Sequence, residues 1–311
     1  MAQSDTTLSR KPLAARSDAD IDAGPLARAV PNQRFQILRR LARNRLAMVG
    51  LVVIVLLYLI AIFAPLIAGQ DPNALTPGLR NKPPSAEHWL GTDRNTRDLW
   101  ARVIVGGRVS LAVGLAAVVI VMTIGITLGA LAGFFGGFVD QLVMRTTDIL
   151  LAVPQILLLI TAAALFQPSL ETTIIVIGVT SWSGTARLVR GQFLALKNQE
   201  YVTAARSIGA PSTRIMFRHL FPNTLAVIIV QTTLWLSAAI LLEASLSYLG
   251  LGVQPPDPSW GNVLQDGQRD LISGAWWLTL FPGLAIFITV LSFNLVGDGL
   301  RDAFDPRARK R

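Results

Sequence analysis

The sequence predicts an all-α integral membrane protein with six transmembrane helices and both termini cytoplasmic. Three observations predict it. Apolar residues gather into runs of about 20, the length that crosses ~30 Å of hydrocarbon at ~1.5 Å per residue. Charged residues make up only 15% of the 311-residue chain, against about a quarter in soluble domains. Of the 28 Lys and Arg, 21 lie on segments that six crossings place inside and 7 on segments placed outside, the bias that orients membrane proteins. Six of those seven share one long outer segment, and long translocated segments obey the rule least. The net charge of +9 therefore flanks spans and implies a bilayer, not a nucleic acid.

Residues 1–46 read as a cytoplasmic tail. The tail carries Asp18, Asp20 and Asp22 among scattered Arg and lacks the apolar stretch of a secretory signal. It ends in the basic approach "RFQILRRLARNRL". The first span is 47–68. Residues 69–108 form a periplasmic segment, first turn-rich (Asp71-Pro72, Thr76-Pro77-Gly78, Pro83-Pro84). Leu99, Trp100, Val103 and Ile104 then recur at helical spacing, an interfacial helix with Thr96 as its cap.

A core of five further spans occupies 109–300. The second span, 109–132, leads into a glycine series, Gly125, Gly129, Gly133 and Gly137, which lets another backbone approach one face. An inside turn with Asp140, Arg145 and Asp148 follows. The third span is 146–166, kinked at Pro154. The fourth, 172–190, is rich in hydroxyls that bond back to their own helix. The fifth is 223–247. The sixth, 276–296, has Trp276 and Trp277 in an outer aromatic belt and a bend at Pro282. Residues 301–311 are a basic cytoplasmic tail.

Between the fourth and fifth spans lies a charged loop, 191–222, which reads as two short helices. Asn198 caps the first, and Glu200 sits in its first turn against the positive helix end. Tyr201, Ala204, Ala205 and Ile208 share one face, and Gly209 stands where a helix end takes a left-handed residue. Pro211 and Ser212 open the second helix and Pro222 closes it. A small, flat, Ala-rich face suits a groove on another protein.

"TAARSIGAPSTRIMFRHLFPN" resembles the EAA loop of ATP-binding-cassette importer permeases. Ala204, Ala205, Gly209 and Pro222 fill its spaced positions; Thr203, His219 and Phe221 depart from its usual residues. "HWLGTD", "RDLWARVIVGGRVSL", "LSYLGLGVQPPDPSWGN" and "FNLVGDGLRDAFDPR" extend the resemblance over residues 35–307 and direct it to the peptide/nickel branch of that family. Asn95 and Thr96 depart from the Leu-Gly usual after "GTD".

The resemblance implies a type I importer core in the bacterial inner membrane. It implies a coupling site made of Glu200, Tyr201, Ala204, Ala205, Arg206, Ile208, Gly209, Ala210, Arg214, Arg218 and Pro222. Its implied partners are a second homologous permease, two cytoplasmic ATPases, and a periplasmic or lipid-anchored solute-binding protein. ATP and Mg²⁺ would sit on the ATPases, leaving this chain without a cofactor. The solutes implied are dipeptides, oligopeptides, glutathione or nickel complexes.

The chain's own residues agree with a non-catalytic subunit. There is no GxxxxGK[ST] loop and no Gly-x-Ser-x-Gly elbow. There is no Cys, and His88 and His219 are far apart in sequence, so no metal site is expected. Gln231, Thr232 and Thr233, with Trp235 nearby, lie mid-span and either line the path or bond to neighbouring helices. Glu243, near the outer end of the same span, is expected to pair with an Arg or cap backbone amides. Asp298, Arg301 and Asp302 read as an ion-pair set at the inner end of the sixth span. An ion-coupled carrier or channel, the rival reading, needs an ionisable group at mid-membrane, and none is clearly central.

Overall fold

The computed structural model describes residues 33–305; the tail expectations for 1–32 and 306–311 lie outside the described residues. Those residues are helices and loops, with one isolated bridge between Thr92 and Asp98.

The chain opens with α1 (Gln33–Arg43) and α2 (Arg45–Ile62), separated by Asn44, whose side chain accepts from the Ala47 N–H. The predicted first span is split. Pro65 cannot donate the bond that would continue α2, so the chain restarts at Phe63 as α3 (Ala64–Ala68).

The predicted interfacial helix and second span are one helix, α4 (Leu99–Phe135), roughly 55 Å long at ~1.5 Å per residue. The expected division between residues 108 and 109 does not occur; the helix runs on through Gly106-Gly107, on which Ser259 and Trp260 pack directly. The cap is Asp98, whose carboxylate accepts from the Ala101 N–H at 2.8 Å. Thr96 has φ +65°, outside the extended region an N-cap needs.

α5 (Gly137–Ala152) and α6 (Gln155–Ala164) bend by 91° across Val153-Pro154, as the proline predicts. The predicted fourth span is two helices, α7 (Leu170–Thr180) and α8 (Ser183–Lys197), broken at Ser181-Trp182. Gln155 Nε2 donates to Ser181 Oγ at 3.0 Å, which holds the two breaks side by side. α9 (Glu200–Ser207) follows. α10 (Ser212–Arg214) widens into a π-helical stretch, 215–220, that feeds α11 (Phe221–Tyr248). α12 (Trp260–Gln268), unforeseen in the sequence, is capped by Ser259 and Asn262, each accepting from the other's backbone N–H. α13 (Trp277–Phe304) runs unbroken through Pro282.

Four helical stretches are long and apolar enough to cross a membrane: Arg45–Ile62, Leu99–Phe135, Ser212–Tyr248 and Trp277–Phe304. The bent pair α5–α6 makes a fifth if counted as one span. α4 is the central post, with α7 and α8 along one side and α11 along another. Three of the four spaced glycines make the α8 contact. A Cβ at Gly125 would lie 2.7 Å from Thr185 Cβ and one at Gly133 2.7 Å from Phe193 Cβ, while Gly129 meets Ala186. Gly137 instead lies past the end of α4 at φ +54°, with nothing near it. Trp277 is buried and donates to Thr92 O at 3.3 Å, so of the two predicted belt residues Trp276 is the exposed one.

Candidate functional site

The 191–222 loop is built on a compact apolar floor. Val202 and Ala205 of α9 pack with Val189, Phe193, Ile215 and Leu220, and the same cluster includes Phe134 of α4 and Ile228 of α11. Ion pairs fasten α8 to α5: Arg190 holds Asp140 with two nitrogens, and Arg187 reaches Asp148 at 2.6 Å. Lys197 Nζ donates to Phe134 O at 2.5 Å. α9 is therefore fixed to the ends of three long elements.

α9 starts at Glu200 with Gln199 as its cap residue; Asn198, the expected cap, instead ends α8. The helix ends as its glycine predicts. Gly209 has φ +80°, its N–H reaches Arg206 O at 2.9 Å, and the Ala210 N–H reaches Ala205 O at 3.0 Å. This paired closure satisfies the last carbonyls with a left-handed residue only glycine adopts freely.

The expected single face divides in two. Ala205 is 7% exposed and turned to the floor, whereas Tyr201 is 41% and Ile208 85% exposed, with Ala204 open between them. Val202 and Ala205 are three residues apart and adjoin on the helix surface, so the buried side is centred on them and only the Ala205 edge of the expected face turns inward. Phe217, 65% exposed, adds to the outer surface. Glu200, Arg206, Arg214 and Arg218 are exposed around it, and Ala210 is half-buried.

Pro222 does not close the second helix but lies exposed in the first turn of α11. The π-helical turn absorbs it, with the Phe221 N–H reaching back to Met216 O. Asn223 Nδ2 and Thr224 Oγ1 then donate to His219 O and Leu220 O, 2.6 and 3.0 Å away.

Mid-span, Gln231, Thr232, Thr233 and Trp235 are half-buried. Thr232 and Thr233 donate to their own helix, at Ile228 O (2.7 Å) and Ile229 O (3.0 Å). Gln231 has no side-chain hydrogen bond among the described residues, and the buried Trp235 Nε1 has no partner there either. Trp235 packs against Val118, Val121 and Met122 of α4.

Glu243 is fully buried and meets neither Arg nor backbone amide. Its carboxylate accepts from Ser110 and Ser247, each at 2.7 Å. Those hydroxyls in turn accept from the N–H groups of Trp260 and Val253 at 3.1 Å. The carboxylate thus reaches backbone amides at second hand, through serines too common in the sequence to single out. Asp298, Arg301 and Asp302 are exposed and form no ion pair among the described residues. The charged network lies at the other end of α4. Arg97 bridges Asp93 (2.6 Å) and Asp266 (2.8 Å), Arg102 joins Asp266 at 3.4 Å, and His88 Nδ1 lies 2.7 Å from Asp98 Oδ2. Its members are 169 residues apart, beyond any local pattern.

Residues 125–310 match the family described as the binding-protein-dependent transport system inner membrane component. The chain belongs to this family of permeases. Residues 33–84 match the N-terminal TM domain of oligopeptide transport permease C. The permease is 47% identical over 271 residues to the oligopeptide transport system permease protein OppC of Bacillus subtilis, covering 87% of this chain and 88% of that one. It is 44% identical over 272 residues to the dipeptide transport system permease protein DppC of the same organism (88% and 85% covered). It is 43% identical over 297 residues to the glutathione transport system permease protein GsiD of Escherichia coli O6:K15:H31 (94% and 98% covered). The motif-based resemblance to the peptide/nickel branch holds: this is an ATP-binding-cassette transporter permease, a multi-pass protein of the bacterial inner membrane.

Proposed function

We propose that this permease forms, with a second homologous permease, the path of an importer for di- or oligopeptides, and that α9 is the lever through which two cytoplasmic ATPases drive it. The observation that carries the coupling role is the outer face of α9. Tyr201, Ala204 and Ile208 are open, while Val202 and Ala205 of the same helix are seated in the floor shared with α4, α8 and α11. Leaving an isoleucine side chain in water costs roughly 1.5–3 kcal/mol relative to burial, so a groove that covers Ile208 gains affinity from it. Movement of the seated helix passes to the three elements beneath.

Six crossings accommodate the elements: α2 with α3, α4, α5 with α6, α7 with α8, α11, and α13. This arrangement puts both ends and α9 on the cytosolic side. ATP and Mg²⁺ are bound by the ATPases, and a periplasmic or lipid-anchored protein delivers the solute. Along α11, Gln231 is the group left to meet a peptide, since the Trp235 indole N–H is buried against α4. The names of the dipeptide, oligopeptide and glutathione relatives support this solute class.

Co-purification of the ATPases with tagged permease tests the coupling role. Ile208→Glu and Tyr201→Asp should each leave the permease folded and strip off the ATPases. Parental retention and transport in both variants would remove α9 from the coupling role.

A further inference from the structure

Residues 93–97 and α12 enclose a cavity of ≈ 290 Å³ lined by Asp93, Arg94, Asn95, Arg97, Asp266 and Arg269. It lies at the Leu99 end of α4, whereas the α9 floor includes Phe134 near the other end; the helix between them is roughly 55 Å long. If α9 is cytosolic, the cavity opens on the outer side.

The charges of the cavity are unevenly used. At its floor Arg97 ties Asp93 to Asp266. Arg102, 2% exposed behind them, pairs with both Asp266 (3.4 Å) and Asp93 (3.8 Å), although its Nε and Nη1 make no hydrogen bond. Both carboxylates are thus engaged by guanidiniums already. At the rim, Arg94 and Arg269 are exposed and make no ion pair among the described residues. Four guanidiniums surround two carboxylates. Asp270, buried next to Arg269 in sequence with Oδ2 unpartnered, still leaves the group cationic.

We propose that this cleft is a seat for a carboxylate side chain, Asp or Glu, presented by the soluble solute-binding protein. The proposal rests on the importer reading of the chain. Every lining residue is charged or an amide, whereas a pocket for varied peptides needs apolar surface. The space suits one polar side chain. A carboxylate between Arg94 and Arg269 makes charge-assisted hydrogen bonds and joins the 93–97 loop to the end of α12. The surplus positive charge also draws an acidic surface toward this end of the molecule.

The test uses the complete transporter in nanodiscs and its own solute-binding protein. Arg94→Glu combined with Arg269→Glu should slow association about tenfold at low salt and abolish the salt dependence seen in the parent. Reversing the matching acid on the binding protein to Arg should restore the rate. Arg94→Gln with Arg269→Gln provides the same reading, smaller in size, should the double reversal not fold. A parental association rate in a folded variant that retains its ATPases overturns the proposal. So does protection of an Asn95→Cys thiol by free dipeptide or acetate without binding protein, which would make the cleft a free-carboxylate site. Absence of ATPases from the unsubstituted permease counts instead against the importer reading.

Discussion

Ser110 Oγ donates to Glu243 Oε2 at 2.7 Å, joining α4 to α11 at a carboxylate with no exposed surface. Ser110 also accepts from the Trp260 N–H, and Ser247, the second donor to Glu243, accepts from the Val253 N–H. One carboxylate therefore pins the loop that carries α12 onto two long helices. Glu243→Ala leaves two buried hydroxyls without an acceptor, and should cost about 2–4 kcal/mol. Glu243→Gln keeps one acceptor oxygen and should cost less. Thermal unfolding of the purified permease orders the two; equal melting of Ala and parent would show that the network contributes nothing.

The α4–α8 contact predicts opposite outcomes for two glycines. A Cβ at Gly129 would collide with the Ala186 carbonyl and Val189, so Gly129→Ala should destabilise by about 1–3 kcal/mol. Gly184, on α8, has nothing within 4 Å of its Cβ position. There Gly184→Ala should stabilise by up to ~1 kcal/mol, because Ala loses less freedom in a helix. Melting shifts of the same sign in both variants would contradict the packing.

The features legible in the sequence were those with one local cause. Pro154 bends its span, Gly209 closes α9, and Gly125, Gly129 and Gly133 receive α8, each for a reason contained in a few residues. What escaped depended on partners far along the chain. The division expected between residues 108 and 109 is absent, since α4 runs on through Gly106-Gly107 beneath Ser259 and Trp260. Ser181-Trp182 interrupts a hydroxyl-rich run that hydropathy reads as continuous. α12 is capped by Ser259 with Asn262 in place of the more usual Glu or Gln. In the 191–222 loop, helical spacing placed Tyr201, Ala204, Ala205 and Ile208 together, but only the floor under α9 shows which of them points inward.

That division separates neighbours. Ala205→Glu drives a carboxylate into the cluster of Phe193, Ile215 and Leu220, an unpaired buried charge that lowers stability by several kcal/mol. Ala204→Glu adds the same group to open surface and should melt like the parent. Loss of ATPase binding in Ala204→Glu at parental stability would then report docking, whereas the same loss in Ala205→Glu would not distinguish docking from misfolding. Equal melting of the two variants would place Ala205 on the surface and contradict the fold here.

The hydroxyls of span α11 and its amide should differ in transport. Thr232 and Thr233 donate to carbonyls one turn back, at Ile228 and Ile229. Those carbonyls belong to the helix ladder, so Thr232→Val and Thr233→Val should change stability by less than ~0.5 kcal/mol and leave uptake near the parental rate. Gln231 has no such internal partner. If its amide meets the peptide backbone in transit, Gln231→Leu should lower uptake severalfold with the complex intact and ATP hydrolysis still responsive to the binding protein. Uptake of radiolabelled dipeptide into vesicles separates the cases. A larger loss in either Thr variant than in Gln231→Leu would move the path to the hydroxyl side of α11.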